Sequence, residues 1–221
     1  MENLAEKLQV VRERIARAAD RARRDPAGIL LLAVTKIFPV AAIREAYDLG
    51  LRDFGENYVQ EFEGKAPGLA DLKDTRYHLI GHLQSNKSKK AVELFQVVQT
   101  VDSAKLARRL NESARPMDVM LEVKLSHEEA KHGADPAELT ELIEAVRACA
   151  NLRLLGLMTM PPWSDDPEAS RGYFRHLCEL AEQHGLAQLS MGMSHDLETA
   201  IEEGATCVRV GTALFGKRMK P

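Results

Sequence analysis

Residues 28–50, GILLLAVTKIFPVAAIREAYDLG, decide the fold. The apolar run from Ile29 to Val34 is too short for a helix and reads as a buried strand. Pro39 then opens a helical pattern and Gly50 ends it, matching the preference for proline at a helix start and glycine just past its end. Strand, turn and helix together make one βα unit.

The same unit recurs along the chain. Strand candidates stand at 29–35, 52–55, 76–81, 96–101, 118–124, 152–158, 188–192 and 206–210, and helical patterns follow each of the first seven. Eight such strands in a chain of this length predict an α/β fold, a (β/α)₈ barrel spanning 29–216. Boundary residues agree with it: Ser103 is suited to cap a helix, Asp135-Pro136 to open one, and Gly185 to close one. Only GTALFGKRMKP follows the eighth strand, so the last helix must be short. Ahead of the barrel, Leu4, Leu8, Val11, Ile15, Ala18 and Ala22 recur at helical spacing, which predicts an extra amphipathic helix over residues 2–24. It is placed to cover the surface that a short eighth helix leaves open. Its arginines (Arg12, Arg14, Arg17, Arg21, Arg23 and Arg24) fall mostly off the apolar stripe and read as a solvated face. No linker interrupts residues 1–221, so one domain is expected.

Composition bounds the function. The 221 residues are 45% apolar and 29% charged, values of an ordinary soluble globular protein. No run of about 18 apolar residues exists and the N-terminus is charged, so neither a membrane span nor a signal peptide is expected and the cytoplasm is the expected compartment. Cys149, Cys178 and Cys207 are scattered, which argues against a disulfide framework or a zinc site. A formal charge of −3 argues against general nucleic-acid binding while leaving room for a local pocket for a phosphorylated small molecule.

Active sites of such barrels lie where the strands end. Reading those ends in order gives Lys36, Glu56, Asn57, Gly81, His82, Asp102, Ser103, Lys124, Ser126, Met158, Thr159, Met193, Ser194, Gly211 and Thr212. Each alone reads as a loop or capping residue; together they line one mouth. A lysine there, with its pKa lowered by burial or a nearby cation, can form a Schiff base with an aldehyde. Phosphates in barrels commonly sit at the loops after strands seven and eight, where SMGMS and GTALFG fall. Gly192 and Gly211 would let the backbone approach an anion, and the hydroxyls of Ser194 and Thr212 would add hydrogen bonds. Arg209, inside the eighth strand, must pair with an acidic neighbour or face a ligand. Lysine and phosphate cradle together imply a phosphorylated aldehyde or ketone.

At this level of detail the chain resembles a known family. AVTKIFP at 33–39, DFGENYVQE at 53–61, YHLIGHLQSNK at 77–87, VDS at 101–103, GLMTM at 156–160, LSMGMSHDLETAI at 189–201 and VRVGTALFG at 208–216 are similar to the pyridoxal phosphate homeostasis proteins. The resemblance spans nearly the whole chain and implies a barrel like the N-terminal domain of alanine racemase, with pyridoxal 5′-phosphate (PLP) held as an aldimine on Lys36. It further implies that Ser194, Gly211 and Thr212 hold the phosphate, that Arg209 faces the pyridine nitrogen, and that Asn57, His82 and the backbone of Met193 line the pocket. Lys131 corresponds to a second family lysine near the site; taken alone it is a solvated loop lysine. Thr35, Phe38 and His195 depart from the family pattern, where serine, lysine and aspartate are usual.

An arginine opposite the ring nitrogen keeps that nitrogen unprotonated and weakens the cofactor as an electron sink. Related racemases compensate with a base from a second domain, which this sequence is read as lacking. The expectation is therefore a monomeric carrier that buffers PLP and delivers it to PLP-dependent apo-enzymes, with a role in vitamin B6 homeostasis. A low-turnover racemase using Lys36 with His82 or Lys131, and an aldolase-like enzyme, are the alternatives from another class.

Overall fold

In the computed structural model, which describes residues 3–113, 115–126 and 132–216, eight strands close into a parallel barrel. They are β1 (Leu30–Val34), β2 (Asp53–Glu56), β3 (Arg76–Leu79), β4 (Val97–Val101), β5 (Met117–Glu122), β6 (Leu152–Met158), β7 (Gln188–Met193) and β8 (Cys207–Val210). Each pairs with its sequence neighbour, and β1 pairs with β8 through Leu30 to Cys207 and Leu32 to Arg209, which closes the ring. The helices are α1 (Leu4–Arg21), α2 (Val40–Asp48), α3 (Val59–Lys65), α4 (Ser88–Leu94), α5 (Ala104–Asn111), α6 (Leu139–Arg147), α7 (Arg171–Gln183), α8 (Leu197–Glu202) and α9 (Thr212–Phe215). The expected barrel, its eight strand positions and its short last helix are all present.

Local chemistry sets the boundaries. Pro39 precedes α2 in extended backbone, and Gly50 beyond it takes φ 91°, a conformation that side chains disfavour. Ser103 Oγ accepts from the Leu106 amide and caps α5. Asp135 caps a 3₁₀ turn, Pro136–Glu138, that leads into α6, and Gly185 at φ 65° follows α7.

Along β1 the side chains alternate between two cores. Ala33 faces the helices and joins the large apolar layer between sheet and helices, where Phe54, Phe62, Phe95 and Phe174 are fully buried. Leu32 and Val34 face the lumen, packing with Ile80 and Cys207. Polar side chains cross the rest of the lumen and build part of the site described below.

α1 packs across α8 and α9, the side with the shortest helices. Asn3 and Glu6 form a capping box at its start, and Leu4, Leu8, Val11, Ile15 and Ala18 are its buried stripe. Its arginines are not simply a solvated face. Arg14 pairs with Glu198 at 2.6 Å, Arg21 with Glu202 at 2.8 Å, and Arg24 donates to the carbonyls of Ile201 and Ala205. The acidic face and the C-terminal carbonyls of α8 explain this, since both attract cations. Among the described residues no helix is long and apolar enough to cross a membrane.

Candidate functional site

Lys36 occupies a tight turn at the end of β1. The turn is closed by the Phe38 amide donating to the Thr35 carbonyl at 3.0 Å, and Ile37 within it adopts φ 64°. A β-branched residue is strained there. The β2–α3 segment lies beneath. Thr35 Oγ1 donates to Glu56 at 2.8 Å, Lys65 Nζ donates to the Thr35 carbonyl at 3.0 Å and to both Glu56 oxygens, and Glu61 accepts from the Ile37 amide at 2.5 Å. Glu61 and Lys65, one turn apart on α3, also pair at 2.6 Å. Thr35, Glu56 and Lys65 are buried, and Lys36 itself is half-buried. Burial raises the Glu56 pKa, opposed by the Lys65 charge.

A buried chain of polar groups runs under the mouth to Arg209. Arg209 Nη1 donates to Ser190 Oγ at 2.8 Å, and the Ser190 hydroxyl donates to Gln99 Oε1 at 2.6 Å. Gln99 Nε2 meets His78 Nδ1 at 3.0 Å, and His78 Nε2 meets Asp53 Oδ1 at 2.9 Å. Gln99 on β4 and Ser190 on β7 belong to non-adjacent strands, so their bond crosses the lumen. A guanidinium only donates and a carboxylate only accepts, so the two ends fix the sense of every bond between them. His78 is therefore neutral with its proton on Nε2, and burial lowers its pKa accordingly. Arg209 also donates to the Thr159 carbonyl at 2.9 Å. Among the described residues no carboxylate lies within ion-pair distance of it, so of its two sequence readings the acidic neighbour is absent.

The wall at the end of β5 is different in character. Glu122 is 3% exposed, and its Oε2 has no hydrogen-bond partner among the described residues. Burial first, then the Asp102 carboxylate, push its pKa up to about 7 against the pull of Arg209. It lines a cavity of about 360 Å³ with Ser126, His82, Met160, Trp163 and Met193. Ser126 Oγ, in the same cavity, and Asn57 Oδ1, at the end of β2, are likewise buried without partners. His82 stacks on His132 with centroids 3.6 Å apart and lies 3.7 Å from Asp102. Burial and His132 lower its pKa. Ligand atoms of His82, Asp102 and His132 lie within 4.8 Å of one another, but the rings are only 12° from parallel, so their in-plane lone pairs do not converge on one ion. A larger cavity, about 520 Å³, opens at the opposite end of the barrel around Arg76, Arg115 and Arg153, away from the strand ends.

Across the mouth, the loops after β7 and β8 interlock. Ser194 Oγ accepts from the Gly211 amide at 3.3 Å and from the Ala213 amide at 3.2 Å, which ties the first loop to the start of α9. Thr212 is exposed beside them. Gly192 also has a packing role: at φ 87°, a Cβ there would come within 2.4 Å of Ala200 Cβ on α8. The Met193 backbone is tied locally, its amide donating to Asp196 Oδ1 and its carbonyl accepting from the Asp196 amide, and the residue lines the cavity.

This geometry has known counterparts. The family described as alanine racemase, N-terminal domain, matches residues 7–219. A pyridoxal phosphate homeostasis protein of Pseudomonas aeruginosa is 50% identical, covering 99% of this chain and 97% of its own, and one of Aquifex aeolicus is 44% identical over 98% and 99%. PipY of Synechococcus elongatus, solved with PLP bound, superposes with a TM-score of 0.84 at 40% identity, covering 97% of this chain and 100% of that one. The chain belongs to the pyridoxal phosphate homeostasis family.

Within that family frame, Lys36, Asn57, His82, Met193, Ser194, Gly211 and Thr212 stand at strand ends or in the loops that follow them, and Arg209 stands inside β8. Lys131 lies outside the described residues. The departures from the family pattern have local uses. Thr35 supplies the hydroxyl to Glu56, Phe38 packs on Phe215 with centroids 5.1 Å apart, and His195 meets the Asp165 carbonyl at 3.0 Å and lies beside Trp163. Sequence reading missed Asp53, His78, Gln99, Ser190, Glu122, Glu61 and Lys65. A usable signal existed for five of them, because Asp53, His78, Gln99, Ser190 and Glu122 are polar residues within strands, the same feature that singled out Arg209.

Proposed function

We propose that this chain binds pyridoxal 5′-phosphate through Lys36 and acts in intracellular PLP homeostasis, holding the cofactor reversibly and releasing it to amines and to PLP-dependent apo-enzymes. The residues at the mouth fit such a ligand: a lysine at one wall, the Ser194 hydroxyl and α9 amides at the other, and the orphaned Asn57 Oδ1 between strands. When bound, PLP supplies an electrophilic aldehyde carbon and, if its ring nitrogen is protonated, an electron sink.

Arg209 carries the preference for a carrier over an enzyme. Its guanidinium is buried, donates to Ser190 and to the Thr159 carbonyl among the described residues, and cannot accept. A ring nitrogen facing it stays unprotonated, so carbanion chemistry is disfavoured while Schiff-base exchange at Lys36 is not. Purified protein should be yellow, with a visible band that borohydride removes and that Lys36→Ala lacks. A colourless protein that gains no band with added PLP overturns the assignment.

Glu122 favours one second reading, a slow racemase. A buried carboxyl with a pKa of about 7 can take up and return a proton at neutral pH, as a catalytic base must. Turnover of single enantiomers by cofactor-loaded protein, lost in Glu122→Gln, would establish that activity; its absence across a panel of amino acids leaves the carrier.

A further inference from the structure

We infer that Glu56, Glu61 and Lys65 are positioning residues for Lys36, clamping the two residues that flank it so that its side chain leaves the barrel wall in one direction. The inference rests on the assignment of Lys36 as the cofactor lysine. No atom of the three need touch the ligand; they act through the backbone of the turn.

Three observations carry it. First, Ile37 is strained and unaided. Its φ of 64° lies in the left-handed region, which a β-branched residue strongly disfavours. Its side chain is 48% exposed, so little packing offsets that cost. The conformation must be imposed through the main chain, and the Ile37 amide is held by Glu61 at 2.5 Å. Second, every polar group of Thr35 is engaged by β2, α3 or the turn. Its amide donates to the Gly55 carbonyl, its hydroxyl donates to Glu56, and its carbonyl accepts from both Phe38 and Lys65. The residues before and after Lys36 are thus tied to a single βα unit, with Lys65 bridging Glu56 and Glu61. Third, stability alone is a poor reason for such a cluster. Buried ion pairs commonly match or fall below apolar replacements of similar volume, and their best-attested use is to specify one arrangement among several.

The physical benefit is directional. A lysine side chain has a flexible four-carbon stem, so a protein controls where the amine reaches mainly by fixing the Cα and its Cβ vector. Small misplacements of a reacting group carry large penalties in rate. A turn held rigid at both flanking residues restricts the amine without touching it.

The test uses PLP-loaded full-length protein. Glu61 is partly exposed, so its variants should fold. Glu61→Ala removes the acceptor for the Ile37 amide, whereas Glu61→Gln keeps an amide oxygen that can accept it. Cofactor release should accelerate about tenfold in Glu61→Ala, equivalent to about 1.4 kcal/mol. The pH midpoint of the visible band should move as well, while the Tm of cofactor-free protein stays within a few degrees. Glu61→Gln should restore most of both. Should a variant misfold, Lys65→Arg, which keeps the charge but replaces the compact ammonium that joins the Thr35 carbonyl, Glu56 and Glu61 with a planar guanidinium, reports instead, with release faster than wild type and a shifted band as the expected result. Unchanged release and midpoint in Glu61→Ala, or changes that simply follow Tm, overturn the clamp. If wild type itself has no visible band that depends on Lys36, the cofactor assignment has failed, and that outcome is separable from failure of the clamp.

Discussion

Glu56 and Glu122 occupy equivalent places, each the last residue of a barrel strand and each buried, yet their surroundings are opposite. Glu56 meets Thr35 and Lys65 through three hydrogen bonds and helps to hold the Lys36 turn. Glu122 has a carboxyl oxygen with no partner among the described residues, in a cavity that also holds the buried Ser126 Oγ, likewise without a described partner. Burying a polar group without a partner is costly, so proteins retain few of them. One side of the mouth is therefore finished as structure, and the other is left open toward a ligand.

The sharpest way to break this contrast is to make Glu56 resemble Glu122. Lys65→Met leaves the Glu56 carboxylate buried and unpaired and should cost about 3–5 kcal/mol in denaturant unfolding. Adding Glu56→Gln removes the charge and should recover most of the loss. If the double variant is no more stable than Lys65→Met, the pair is not what holds that side together.

The reverse operation is to relieve Glu122. Its carboxyl has an ordinary pKa of 4.5 when unfolded and about 7 when folded, so the folded state binds the proton more tightly. Its contribution to stability is fully present below about pH 4.5, is lost as pH rises toward 7, and then stays level. Glu122→Gln does not titrate, so relative to wild type it should gain up to about 3 kcal/mol between pH 4.5 and pH 8. Urea unfolding of cofactor-free protein at several pH values reads this directly. A difference between the two proteins that is flat across that range would mean that Glu122 is solvated or partnered like Glu56.

How much of this was legible beforehand follows from which physical signal each residue leaves in the sequence. Strand positions were legible because a buried parallel strand is a short apolar run between turn residues, as in Ile29–Val34 and Val97–Val101. Lys36, Ser194 and Thr212 were legible because they sit where strands stop, and that place is marked by the pattern itself. Glu122 was legible only as a polar residue within a strand, because whether its side chain faces the lumen or the helices depends on register within β5, which composition does not encode. Lys65 and Glu61 carried still less signal, since a charged pair one turn apart on a helix normally reads as a solvated face. The α1 arginines failed for the same reason: their acidic partners on α8 lie far along the chain.

Across the lumen runs the chain from Arg209 to Asp53, and interrupting it tests whether the lumen behaves as finished structure. Ser190→Ala leaves an Arg209 donor and Gln99 Oε1 without their partner. Stranding such groups should cost about 1–3 kcal/mol. In cofactor-loaded protein the visible band should also shift, because Arg209 would lose one of its two fixed contacts. A loss near zero would show that water replaces the hydroxyl and that the chain is not continuous.

The smallest effect discriminates best between strain and packing at Lys36. Ile37→Gly removes the penalty of φ 64°, about 1–2 kcal/mol, but adds flexibility to the unfolded chain worth about 0.5–1 kcal/mol. The net gain in cofactor-free protein should therefore be between zero and about 1.5 kcal/mol, a rise of at most a few degrees in Tm. Glycine still presents an amide to Glu61, so the turn should keep its shape and PLP release should be close to that of wild type. Faster release in a more stable Ile37→Gly protein would mean that the isoleucine side chain, half-exposed at the mouth, contacts the bound ligand and that its strained backbone serves to place it there.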